Sequence, residues 1–250
     1  ARIERDPDFP NENRYRTTLS GSSGKLIANT QDPGSGERYR AEVDGEFVRY
    51  QRDVGTGMWT ARSADGHAYE FFQVDAGRWR LTKESDALGN TITYLYAGVA
   101  HDGYQEYVPS AIEYTSNAAA SLGAHARVDF VYDGGTPGAP GALALCGGFP
   151  VGASVDLHSG FRRLNGARRL DEIRTSVKDT PSSAWRIARK VKLTYDAAER
   201  ACGASALRYL TQLDVTARSP QGVETAAPPT RFSYGPAQRT LGRTLTVANA

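Results

Sequence analysis

Four histidines, two cysteines and a dense arginine cluster carry most of the chemistry this 250-residue chain could offer. His67, His101, His125 and His158 are separated by 34, 24 and 33 residues, so none forms the local pair by which a helix turns two imidazoles toward a metal. Cys146 and Cys202 are too far apart for a C-x-x-C site and lack the neighbouring ligands that zinc needs. No G-x-S-x-G elbow occurs to raise a serine nucleophile on a strained turn. The run Ser20-Gly21-Ser22-Ser23-Gly24-Lys25 departs from a phosphate loop at both ends. Leu19 stands where the first glycine is required, and Leu26 where the metal-binding hydroxyl would be. The sequence therefore predicts no catalytic residue, no metal site and no cofactor, and reads the Ser/Gly run as a turn between strands.

Other residue groups bear on contact rather than catalysis. Arg162, Arg163, Arg168 and Arg169 flank Asn165-Gly166 and admit two readings, a patch for an acidic partner surface or a solvated hairpin turning at Asn-Gly. Cys146 and Cys202 both lie in Gly/Ala-rich connections, where either a loop-to-loop disulfide in an exported protein or two free thiols can be accommodated. Trp59, Trp79 and Trp185 are expected to be core, with sugar stacking as the minor reading. Thirty Lys and Arg against 28 Asp and Glu leave a formal charge of +2, which argues against nucleic acid or an anionic membrane as partner. No apolar run reaches the ~18 residues of a membrane span.

The elements that must position these groups read as strands. Glycine, at 26 residues, and 13 tyrosines against 8 phenylalanines suit many turns and half-exposed strands. The sharpest unit is Trp79-Arg80-Leu81-Thr82, a turn at 86–90, and Thr91-Ile92-Thr93-Tyr94-Leu95-Tyr96, whose alternation has the period of a strand. Strands ending apolar-x-apolar-x-Tyr return at 128–132, 191–195 and 232–234, and Asp44-Gly45 and Asp65-Gly66 mark further hairpins. Leu170-Asp171-Glu172-Ile173 and Leu210-Thr211-Gln212-Leu213 break strict alternation in the same way, as a bulge or a strand beginning after the leucine would. The stretch 134–141 offers little to bury and reads as a long exposed loop. Helix is restricted to a turn or two at 117–122 and 196–203.

In order and spacing these residues resemble the SpvB-type N-terminal region shared by B subunits of insecticidal toxin complexes and related Rhs/YD-repeat toxin proteins. The resemblance rests on Ile3-Glu4-Arg5 with Leu19-Ser20-Gly21, on 39–49, on Trp59 with Asp65-Gly66, and on 79–94. It continues through Tyr107-Val108-Pro109-Ser110-Ala111-Ile112-Glu113-Tyr114-Thr115-Ser116-Asn117, then 189–195, 210–213 and 228–234. Two departures stand out. Ser116 occupies a position where glycine is usual, and 132–138 replaces an acidic-Arg-Pro-Asp stretch.

The resemblance implies an all-β antiparallel hairpin meander forming part of a large Rhs/YD-type shell that encloses a toxic C-terminal domain, commonly followed by a propeller. Residues 1–250 are expected to be one SpvB-type segment of a longer chain, with an internal division near 134–141. Catalytic residues belong elsewhere in such proteins, and the Glu-x-Glu signature of the name-giving ADP-ribosyltransferase does not occur here. The implied partners are other segments of the shell, the enclosed toxin domain and a translocation or pore-forming subunit, in a secreted or cell-surface setting. A surface-binding, adhesin-like module is the alternative. Cut from such a shell, the segment is expected to expose strand edges and to associate.

Overall fold

The computed structural model describes residues 1–6, 13–19, 22–30, 36–75, 77–101, 104–142, 145–146, 149–150, 153–155, 162–164, 168–180, 182–195, 209–234 and 245–248. Among these the chain is all-β, with twenty-one strands and no helix. It divides into two compact units. The first comprises Ala1–Leu95, Ile112–His125 and Val155–Arg163, the second Tyr96–Ala111, Ala126–Ser154 and Leu164–Ala250. The stretch 134–141 lies inside the second unit.

Eight strands of the first unit form a closed antiparallel barrel. They are β1 (Arg2–Arg5), β2 (Tyr15–Leu19), β3 (Ser22–Ala28), β4 (Glu37–Asp44), β5 (Arg49–Arg52), β6 (Trp59–Arg62), β7 (Ala68–Asp75) and β8 (Arg78–Ser85). Each pairs with the next, and β1 also pairs with β8 through Ile3↔Trp79, which closes the ring. Barrels of eight strands are narrow enough to be filled by side chains. Alternation supplies the filling: Tyr15, Thr17 and Leu19 point inward from β2, Trp59 and Ala61 from β6, and Trp79 and Leu81 from β8. The Tyr15 ring stands edge-on to Trp59 at 4.8 Å and to Trp79 at 5.7 Å, while the two indoles meet at 6.0 Å. Closure removes the lateral edges expected of an open meander, because the strands that would end the sheet pair with each other.

The turns show why certain residues recur. Ser63–His67 and Asp86–Asn90 share one hydrogen-bond scheme, in which the first residue's N–H reaches the fifth residue's carbonyl and the glycine N–H reaches the first carbonyl. Ser219 to Val223 repeats it. Gly66, Gly89 and Gly222 occupy the left-handed region at φ 91°, 83° and 86°, where a Cβ is penalised. The Asp44-Gly45 hairpin differs from the two-residue turn that its sequence predicts. There it is Phe47 that takes the left-handed conformation, at φ 53°, and the Asp44 carboxylate accepts the Val48 N–H at 2.9 Å, so the loop spans more residues. The Ser/Gly run is likewise partly strand, since Gly24 and Lys25 pair with Thr17 and Arg16 inside β3.

β9 (Asn90–His101) and β10 (Tyr104–Asn117) contribute to both units. In the second unit β11 (Ala126–Tyr132), β16 (Leu170–Val177), β17 (Arg186–Tyr195) and β18 (Leu210–Arg218) run antiparallel in succession. β19 (Glu224–Ala226) and β20 (Thr230–Tyr234) both pair with β18, and β21 (Leu245–Ala248) pairs with β20. Between β11 and β16 lie the short strands β12 (Leu145–Cys146), β13 (Phe149–Pro150), β14 (Ala153–Val155) and β15 (Arg162–Leu164).

Both L-x-x-I/L segments are bulges, as the broken alternation predicts. Tyr132 pairs with Leu170 while Val131 pairs with Glu172, which leaves Asp171 extra; Tyr195 and Leu210 repeat the pattern with Thr211. A tyrosine at the end of a later strand takes the leucine carbonyl in each case. Tyr195 Oη donates to Leu170 O and Tyr234 Oη to Leu210 O, both at 2.8 Å. The repeated terminal tyrosine is thus a peg for an earlier strand's bulge. Among the described residues the unit's buried cluster comprises Ala97, Val108 and Tyr132, with Phe130 and Leu170 packed against it, and Ala111 and Val131 are buried as well. None of the apolar side chains on β16, β17 or β18 is buried.

Trp79 Nε1 donates to the Gly57 carbonyl at 2.8 Å, whereas the equally buried Trp59 Nε1 has no hydrogen-bond partner among the described residues. Trp79→Phe is therefore expected to destabilise the protein by about 1 kcal/mol more than Trp59→Phe, the net worth of one hydrogen bond. Urea unfolding at matched slopes measures the difference.

Candidate functional site

The turns 63–67 and 86–90 abut so closely that a Cβ on Gly66 would stand 2.8 Å from Ala87 Cβ. Beside them lies a cavity of about 490 Å³ whose lining includes His67, Glu84, Asp86, Thr91, Ile92 and Tyr114. The end of β10 fastens its wall. Asn117 Nδ2 donates to Leu88 O and to Asn90 Oδ1, each at 3.1 Å, and Ser116 Oγ donates to Thr91 O at 3.2 Å. Thr115, also in the lining, has φ 69°, uncommon for a β-branched residue. Its hydroxyl holds the conformation by donating to Tyr114 O and accepting the His125 N–H. The left-handed residue here is Thr115 and not Ser116, so serine in the usual glycine position meets no backbone obstacle.

The electrostatics of the cavity are anionic. Glu84 accepts the Tyr94 hydroxyl at 3.2 Å, and its other oxygen lies 3.7 Å from His67 Nδ1, while His67 Nε2 is 3.8 Å from Asp65. The Asp86 carboxylate accepts the Leu88 N–H at 2.9 Å, the Asn90 N–H at 2.8 Å and the Asn90 amide at 2.7 Å. Those bonds, the Asn90 side chain's foremost, hold the Asp86 carboxyl below the usual carboxylate range. The Ser63 hydroxyl does the same for Asp65, and the backbone of Thr56 for Asp53. No cluster of metal-ligating residues occurs among the described residues.

The arginines singled out in the sequence separate. Arg168 turns inward with its side chain 6% exposed, donating to Asp133 Oδ2 at 2.9 Å and to Gly141 O at 2.7 Å. Arg169 pairs with Asp171, and its N–H donates to Asp133 Oδ1. The side chains of Arg162 and Arg163 lie outside the described residues, as do the side chain of Cys146, the whole of Cys202, and His158. Arg168 ties together the ends of the stretch 134–141, a loop of exposed and half-buried residues that folds back on itself. Gly135 and Gly141 approach backbone so closely that a Cβ would sit 2.3 Å from Ala139 O and 2.0 Å from Asp133 O respectively. Trp59 and Trp79 are core, and Lys178 Nζ sits 4.7 Å from the Trp185 ring centre, over its face.

Fold and site together define an all-β protein built on a closed eight-stranded antiparallel barrel with additional strands, with a cavity beside the turns 63–67 and 86–90 in which carboxylates stand next to apolar surface. No protein-family model matches the chain, and no curated protein matches it. Solved structures do. The crystal structure of TcdB2-TccC3 aligns with 93% of this chain at 14% identity and a TM-score of 0.65, and the Tc holotoxin pore of Photorhabdus luminescens does so at 14% identity and 0.64. In both the chain spans 14% of the matched chain's length. The N-terminal domain of the effector protein SpvB from Salmonella typhimurium strain LT2 aligns over 87% of each chain, at 15% identity and a TM-score of 0.56. The chain thus shares its fold with an SpvB N-terminal domain and with part of the toxin-complex structures.

The cavity was not legible in the sequence, although its two rims carry the same turn signal, Ala-x-Gly or Ala-Asp-Gly before a polar residue. An aspartate whose pKa is lowered by folding adds stability above its unfolded value of about 3.9, and that contribution disappears as pH falls through the lower folded value. Asp86→Ala is therefore expected to lower the thermal midpoint at pH 7, with the gap to the parent closing as pH drops below about 4. Thermal unfolding from pH 7 to pH 2.5 measures it.

Proposed function

We propose that this chain is a structural, non-enzymatic wall segment of a toxin-complex B/Rhs-type shell, which encloses a toxic C-terminal domain and helps to deliver it. The observation that carries the reading is the sheet of the second unit. Three consecutive strands, β16 to β18, are 8 to 10 residues long and contain no buried apolar side chain. An independent domain sheet hides one face in a core; a sheet that serves as a wall keeps both faces for neighbours. The fold likeness to TcdB2-TccC3 over 93% of the chain supports the same reading.

On this proposal the partners are adjoining shell segments, the enclosed toxin domain and a pore-forming or translocation subunit, in a secreted or cell-surface assembly. Arg162 and Arg163 are the members of the basic cluster left for a partner contact, and Cys146 with Cys202 would pair in an exported protein. The likeness to an effector's N-terminal domain over most of its length favours a second reading, a module placed ahead of an unrelated functional domain. An adhesin-like, sugar-stacking module gains less, since Trp59 and Trp79 are enclosed by the barrel.

Electron cryomicroscopy of the chain expressed with its flanking polypeptide decides among these. The expected map shows β11 to β18 continuous with the wall of a hollow particle and the toxic domain shielded from added protease. A chain projecting as a separate module, with no enclosed volume, would overturn the shell reading.

A further inference from the structure

We infer that the cavity beside the turns 63–67 and 86–90 is a binding site for an organic cation, an alkylammonium or guanidinium group on a short aliphatic stem. The inference is independent of the shell reading. Three observations converge on that chemistry. The first is volume: about 490 Å³ falls within the range of small-ligand pockets, roughly 300–1,000 Å³.

The second is charge. Glu84 and Asp86 both line the cavity, and none of its lining residues is a lysine or arginine. Asp86 spends its lone pairs on the turn, but Glu84 does not. One Glu84 oxygen accepts the Tyr94 hydroxyl; the other has only His67 Nδ1 nearby, at 3.7 Å, beyond hydrogen-bond reach. With its side chain 26% exposed, this carboxylate has given up most of its water; the Ala1 ammonium couples to it electrostatically, but among the described residues only the His67 imidazole stands within ion-pair distance. Elsewhere in the barrel such carboxylates are matched, Glu37 by Arg52 at 3.0 Å and Glu70 by Lys83 at 3.1 Å. A half-desolvated anion with spare acceptor capacity gains most from a charge-assisted donor arriving through the cavity mouth.

The third is the lining's character. Ile92 offers apolar surface to an aliphatic stem, and Tyr114 adds an aromatic ring of the kind that attracts ammonium and guanidinium groups. The wall is held firmly, with Asn117, Ser116 and the left-handed Thr115 all tied by hydrogen bonds, so the site is present before the ligand arrives. A free polyamine and the lysine side chain of a protein share this chemistry.

The test is a ¹⁵N–¹H correlation titration of the 250-residue chain with spermidine and, separately, with blocked lysine (Nα-acetyl-lysine N-methylamide). Saturable shifts confined to the amides of 84–92 and 114–116 are expected, and the tighter of the two probes identifies the source, free amine or protein side chain. Glu84→Gln should weaken binding about tenfold or more, by removing the charged acceptor. Should that variant not fold, Thr91→Lys supplies a tethered ammonium at the cavity and should abolish the shifts. Shifts that stay linear to tens of millimolar, or that persist unchanged in folded Glu84→Gln or Thr91→Lys, would overturn the inference.

Discussion

The pairing of β1 with β8 closes eight strands around two tryptophans, and the rest of the first unit follows from it. Closure at Ile3↔Trp79 fixes the diameter, and the diameter fixes what can fill the interior. Tyr15 lies at the centre of the filling, edge-on to Tyr39, Trp59 and Trp79 with centroids 4.8–5.7 Å apart. Each such pair adds about 0.5–1.5 kcal/mol beyond its buried area. Three of them together are comparable with a sizeable share of the ~5–15 kcal/mol by which whole domains are stable. Small residues make the arrangement fit, Ala41 and Ala61 taking inward positions among the rings. Because the barrel has its own core and no open lateral edge, it places rigid turns at its rim. Two of these turns, touching at Gly66 and Ala87, shape the anionic cavity.

The second unit is organised by a different rule. Its strands are tied by backbone pairing, by bulges at Asp171 and Thr211, and by tyrosine hydroxyls that reach back to the leucine carbonyl at each bulge. Such ties set register and curvature without requiring a thick core. Charged pairs two residues apart, Arg127 with Asp129, Arg169 with Asp171 and Arg174 with Glu172, recur along β11 and β16. A sheet made this way can extend strand by strand, which is the property the proposed shell wall requires.

Much of this was legible in the residues. Alternation marked the strands, glycine after Ala-Asp or Ala-Leu marked turns whose φ is positive, and L-x-x-I/L marked bulges, since each is a local signal with a local cause. Closure of the barrel was not legible. Alternation says which face of a strand is buried and nothing about its neighbour, and Ile3 and Trp79 meet across the whole length of the first eight strands. The Asp44-Gly45 turn was misread because Phe47, a residue with no preference for positive φ, absorbs the conformation. The sequence groups the four arginines as a partner patch or a solvated hairpin, whereas Arg168 belongs with the loop 134–141, where backbone crowds Gly135 and Gly141. His67 reads in the sequence only as one of four isolated histidines, and nothing joins it to Glu84, 17 residues away with no motif between them.

Hydrogen exchange on the isolated chain tests most directly the claim that one unit is self-sufficient and the other is wall. The account expects the amides of β2, β6 and β8 to exchange only through global opening of the barrel. Those of β16, β17 and β18 should exchange markedly faster, and slow when the chain is joined to adjoining shell segments. Uniform, equally strong protection across both units in the isolated chain, unchanged by any added segment, would contradict it.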